Sequence, residues 1–191
     1  EGDEILVPTP YWVSYAELIN LAEGRNTFIH TDISTNYKVT AEQIENAITP
    51  RTRILVYSSP SNPAGSVYSK EELEAIAKVI KKYENLYVIS DEIYEHINFV
   101  GKHQSIAQFE DIKDRVIVIN GMSKGYAMTG WRAGWMVATT DVIKMVNKLQ
   151  QHSLTCLPGF VQMGALEAIN SGMDCVYKMR EEFKARRDLL I

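Results

Sequence analysis

Residues 53–92, RILVYSSPSNPAGSVYSKEELEAIAKVIKKYENLYVISDE, contain one complete strand–helix–strand unit. Arg53–Tyr57 is a compact apolar run, as expected of a strand buried on both faces. A turn signal follows in Ser61-Asn62-Pro63-Ala64-Gly65. Ser69-Lys70-Glu71-Glu72 then forms a capping box, which opens a helix with Leu73, Ile76, Ala77 and Ile80 on one side. Leu86–Ile89 is a second buried strand. Two apolar strands joined through a helix imply a parallel pair, because parallel strands need a crossover connection.

The same alternation extends in both directions. Towards the N-terminus, Ile5–Val7 reads as a strand, Trp12–Ala22 as a helix after a proline-rich turn, and Thr27–His30 as a short strand. Thr40-Ala41-Glu42-Gln43 is a second capping box, opening a helix to about Ile48 that Pro50 ends. Towards the C-terminus, Val116–Ile119 and Ala133–Ala138 read as strands. Helices are expected over Asp141–His152 and Pro158–Ser171, and a charged terminal helix follows them. The expected fold class is α/β, a mainly parallel sheet with helices on both faces. There is no internal repeat and no low-complexity linker.

The composition narrows the function. The 191 residues are 46% hydrophobic and 23% charged, which suits a globular chain with a real core. A net charge of −4 gives no basic field for nucleic acid. No apolar stretch approaches the roughly 20 residues that cross a bilayer. Cys156 and Cys175 stand far apart and read as reduced thiols, and the four histidines are scattered, so no metal site is expected. The chain opens without methionine at Glu1-Gly2-Asp3. Val176, Met179, Phe183 and Leu190 keep near-helical spacing up to Ile191. Both ends read as cuts within a larger protein, so missing targeting signals carry no weight.

In parallel sheets ligands bind beyond the carboxyl ends of the strands, which directs attention to 58–65, 90–94 and 120–132. Lys124, taken alone, reads as an exposed lysine, and its neighbours change that reading. Arg132 follows eight residues later within Gly-Trp-Arg-Ala-Gly, and a guanidinium fork suits a phosphate dianion. Asp91 follows the strand LYVIS. It reads either as a solvated strand-end carboxylate or as the partner of a heteroaromatic nitrogen, whose protonated form it would favour. Tyr94 lies three residues on, where its hydroxyl would reach the same ring. Asn62 reads as part of a simple turn or as an amide donor to a ring oxygen. Pro63 is a candidate for a cis peptide bond.

Taken together, VPTPYWVSY (7–15), SPSNPAG (59–65), DEIYEHINF (91–99) and NGMSKGYAMTGWRAGW (120–135) resemble the fold-type I aminotransferases, specifically the class I and II family, and within it the bacterial aspartate aminotransferase subgroup. The match covers the whole chain. The resemblance implies a pyridoxal 5′-phosphate cofactor. It makes Lys124 the Schiff-base lysine and the proton shuttle, and Asp91 the partner of the pyridinium nitrogen. Tyr94 and Asn62 would bond the ring 3-oxygen, and Ser123 and Arg132 the phosphate. Trp12 would stack on the ring, with Tyr11 in its place if the alignment moves by one. Gly121 departs from members that carry a hydroxyl there, and HSLTCLPGFVQ (152–162) matches only loosely.

The resemblance further implies an enzyme moving an amino group between an amino acid and a 2-oxo acid, with aspartate and 2-oxoglutarate as the expected pair. A cytoplasmic homodimer is expected for the full-length protein. Residues 1–175 would be the cofactor-binding large domain, and 176–191 the start of a long helix leading out of it. The family's N-terminal phosphate loop, its tyrosine that reaches across the dimer, and its C-terminal carboxylate-binding arginine find no match in these residues. The segment alone is therefore expected to be inactive. Alternatives on the same scaffold are a carbon–sulfur lyase and the ligand-binding domain of a transcription regulator.

Overall fold

A computed structural model describes residues 2–191; Glu1, where the expected large domain begins, lies outside them. Its strands are β1 (Glu4–Thr9), β2 (Arg25–His30), β3 (Thr52–Ser58), β4 (Tyr87–Asp91), β5 (Val116–Gly121) and β6 (Gly134–Val137). Its helices are α1 (Ser14–Leu21), α2 (Ala41–Ala47), α3 (Lys70–Lys81), α4 (Met122–Gly125), α5 (Thr140–Ser153), α6 (Gly159–Asn170) and α7 (Asp174–Asp188). The strands form one mostly parallel sheet in the order β2-β1-β3-β4-β5-β6, and the pairs β1–β2, β1–β3 and β3–β4 are all parallel. The α/β expectation is met. The chain divides into two compact units. One runs up to Glu92 and includes Gln104–Val118; the other is Ile93–His103 with Ile119–Ile191.

In the first unit, successive strand residues point to opposite faces, and both faces are covered. Leu6, Leu55, Tyr57 and Val88 join Ile44 of α2 and Leu73, Ile76 and Ile80 of α3 in one cluster. Ile5, Val7 and Val56 join Tyr15 and Ile19 of α1 in the other. Both expected capping boxes form: Thr40 accepts from Gln43 N, and Ser69 from Glu72 N, with each glutamine or glutamate side chain returning the bond. Such caps contribute about 1 kcal/mol each. Beyond α3, Arg115 Nη1 donates to Ile80 O at 2.8 Å and also to Tyr83 O, satisfying carbonyls that the helix end leaves open.

The second unit has a smaller core of Met122, Ala133 and Val161, with Tyr126, Met128, Leu157, Ala165 and Ala168 against it. Helices α5 and α6 fall within a residue or two of their expected bounds. Three details differ from expectation. The first helix starts at Ser14 rather than Trp12, which stays in the preceding turn. The terminal helix closes at Asp188, with Leu189 as its cap, so Leu190 and Ile191 follow it rather than lie within it. Short 3-10 turns at Ile33–Thr35, Ile106–Gln108, Glu110–Arg115 and Thr129–Trp131, and the four-residue α4, are too brief to show an apolar period. Among the described residues no helix is long and apolar enough to cross a membrane.

Candidate active site

The first unit carries Trp12, Asn62 and Asp91 at the carboxyl ends of β1, β3 and β4. The β3–β4 register sets Ser58 opposite Asp91, and Ser59 N donates to Asp91 O at 3.0 Å, so the two strand ends are tied together. Asp91 Oδ2 accepts a hydrogen bond from the Tyr15 hydroxyl at 2.6 Å. Tyr15 is buried, and its ring meets Trp12 edge-on, with centroids 5.5 Å apart. Trp12 therefore stands one contact away from the carboxylate while 42% of its own surface remains exposed. Tyr11 instead stacks on Phe28 of β2 at 5.3 Å.

Sequence reasoning missed Tyr15. Its partner lies 76 residues away, and the only local signal was its place one turn after Trp12 at the start of a helix. Asn62 sits in a loop closed by Ser61 N donating to Ser66 O and Gly65 N donating to Ser61 O, both at 3.0 Å. Gly65 has a φ of 69°, the left-handed region that glycine enters at little cost. The Asn62–Pro63 bond is cis, as the sequence indicated, and so are Thr9–Pro10 and Ser59–Pro60, which it did not single out.

The second unit carries Tyr94, Ser123, Lys124 and Arg132. Strand β5 ends at Gly121, and Ser123 and Lys124 follow at once on α4, both half-buried. Met122 N donates to Ala133 O at 3.0 Å, and the buried Met122 side chain anchors the turn in the core. The Lys124 ammonium lies 5.8 Å from the centroid of the Tyr94 ring, within cation–π range. Behind it, a Cβ on Gly125 would stand 2.7 Å from Cδ2 of His96, so only glycine lets these segments close. Arg132 adopts a left-handed conformation, is exposed, and donates from Nη1 to Thr129 O at 2.9 Å.

The departure at Gly121 has a local cause. A Cβ there would lie 2.8 Å from Ala133 O and 2.9 Å from Gly134 Cα. The backbones at the end of β5 and the start of β6 approach too closely there for any side chain. The position serves strand packing.

Pyridoxal phosphate calls for an amine, a carboxylate for its ring nitrogen, donors for its ring oxygen, an anion site and a flat apolar face. Lys124, Asp91, Tyr94 with Asn62, Arg132 with Ser123, and Trp12 are of those types. Asp91 is moreover oriented by a phenol, which donates to its Oδ2. The residues present fit the group.

A family model described as aminotransferase class I and II matches residues 1–191. The chain is 45% identical over 192 residues to an aspartate aminotransferase of Bacillus sp. (strain YM-2), covering 100% of this chain and 49% of that protein. It is 42% identical over 191 residues to an aspartate/prephenate aminotransferase of Nitrosomonas europaea, covering 99% and 48%. A crystal structure of the aspartate aminotransferase from Rhizobium meliloti superposes with a TM-score of 0.97 at 36% identity, over 100% of this chain and 48% of that one. The chain thus spans about half the length of the curated relatives it matches. With the fold and the family match over residues 1–191 in agreement, this chain belongs to the aminotransferase class I and II family.

Proposed function

We propose that the protein is a pyridoxal-phosphate-dependent aminotransferase that moves an amino group between aspartate and 2-oxoglutarate, working as a cytoplasmic homodimer. The observation that supports this most is Asp91, a strand-end carboxylate whose direction is fixed by the 2.6 Å bond from Tyr15. The names carried by the Bacillus and Nitrosomonas relatives support aspartate as amino donor, with prephenate the next acceptor to assay.

Bound here, the cofactor would supply a conjugated sink for the electrons released when the substrate Cα–H bond breaks. Asp91 would keep the ring nitrogen protonated, because a nearby negative charge favours the charged form of a base. Lys124 Nζ would anchor the cofactor and take the proton from the substrate Cα. Tyr94 and Asn62 would donate to the ring oxygen, Arg132 and Ser123 would hold the phosphate, and Trp12 would cover one ring face. In this reading the 191 residues alone hold cofactor without turnover, because the carboxylate-gripping arginine expected of the family has no match among them.

A coupled assay with aspartate and 2-oxoglutarate on the full-length protein tests the proposal, with Asp91→Asn as the informative variant. Loss of a preorganised charge that acts in the transition state is expected to lower kcat by about 10²–10³. Cofactor retention should change far less. Near-normal turnover in Asp91→Asn would remove this residue from the chemistry, and no turnover in the wild-type protein would remove the function.

A further inference from the structure

Directly after Asp91 the chain leaves the first unit at Glu92 and re-enters it at Gln104. The excursion between them, Ile93–His103, carries Tyr94. Its stem is closed by a part-buried hydrogen bond: the Ser105 hydroxyl donates to Glu92 Oε1 at 2.6 Å. Glu92 is 4% exposed, an unusual place for a carboxylate.

The same oxygen receives a second donor, the Ser90 hydroxyl at 3.0 Å. Ser90 is fully buried and also lies 3.1 Å from the Tyr57 hydroxyl. Ser90 has one proton, which goes to the stronger acceptor, the carboxylate. The Ser90 hydroxyl is also within donating distance of the Tyr57 hydroxyl, and burial pushes the Tyr57 phenol far above its usual range, so it keeps its own proton. Tyr57, Ser90 and Glu92, all buried, and the half-buried Ser105 form a continuous hydrogen-bonded chain from β3 through β4 to the returning segment. Because strand side chains alternate, Ser90 occupies the opposite face of β4 from Asp91, and Glu92 follows the strand end with its carboxylate bonded to Ser90. The chain of hydroxyls grips the strand end from behind.

We propose that Glu92 is a positioning residue, whose bond to Ser105 clasps the stem of the 93–103 excursion and thereby fixes Asp91 on one side and Tyr94 on the other. The proposal rests on the roles given above to those two residues. A structural carboxylate would serve stability alone, whereas a clasp at this place sets the aim of two groups that meet the cofactor ring.

The test uses the full-length protein with Glu92→Ala, Ser105→Ala, the double variant, and Ser105→Thr, which keeps the hydroxyl. Deuterium uptake over residues 91–103 is followed without cofactor, and kcat and KM are followed with pyridoxal phosphate bound. Each alanine variant is expected to raise uptake in this segment. Each should also lower kcat by about ten- to a hundredfold, the scale on which a small misplacement of reacting groups acts, with KM far less affected. Glu92→Ala also removes the Ser90 bond and Ser105→Ala the bond from Ala107 N, so the double variant should lose less than the sum of the two single losses, their shared bond being counted once, and Ser105→Thr should restore both readouts. Unchanged uptake and kcat in both single variants, whatever the melting temperature does, would overturn the clasp, as would losses that add in the double variant. A wild-type protein that binds no cofactor would sink the functional reading by itself, and the uptake arm would still decide the clasp.

Discussion

Helices α3 and α5 are of similar length and both amphipathic in sequence, yet they are stabilised differently. Five residues of α3 are buried, its N-terminus is closed by a capping box, and Glu74–Lys78 adds an ion pair on its outer side. None of the residues of α5 is buried, its N-cap has no side-chain bond, and Met145 and Leu149 are 73% and 71% exposed. The difference teaches that an apolar stripe specifies a helix but not what covers it. Most helical stability in proteins comes from packing of that stripe. The site shows the same contrast: in the first unit Asp91 is pinned by a short hydrogen bond, while in the second Lys124 is set by its place on a four-residue turn and a longer ring contact.

The largest expected effect is in the α3 core. Leu73→Ala should destabilise the chain by about 2–5 kcal/mol in urea unfolding, because it empties a site with no exposure. A cost under 1 kcal/mol would mean that the sheet and α3 are not packed as described. Next comes Tyr15→Phe, which removes a part-buried hydrogen bond to a carboxylate and should cost about 1.5–3 kcal/mol in the same measurement. An unchanged midpoint there would place Tyr15 among the ring contacts alone. Smallest is Leu149→Ala on α5, expected to stay within about 0.5 kcal/mol. A large loss at Leu149 would break the comparison between the two helices.

What was legible in the sequence was local. The capping boxes at Thr40 and Ser69, the apolar runs of β1, β3 and β4, and the helix periods all lie within windows of a few turns. The family motifs were also contiguous, so Lys124, Asp91 and Asn62 could be singled out by neighbours in the chain. What stayed hidden depends on distant partners. The Tyr15–Asp91 and Glu92–Ser105 bonds join residues 76 and 13 positions apart, and nothing in either segment names the other. At Gly121 the carbonyl of Ala133 that leaves no room for a side chain comes from a segment 12 residues on, so its reason is invisible in the local pattern. The helix α4, four residues long, is shorter than any detectable period.

The central claim is that Lys124 is the cofactor-bearing lysine, and one chemical measurement addresses it. The full-length protein is incubated with pyridoxal phosphate, reduced with borohydride, digested and mapped. The account predicts a visible absorbance band before reduction and a single stable adduct on the peptide containing NGMSKGYAMTGWR, at Lys124. An adduct confined to another lysine, or none at all, would contradict it.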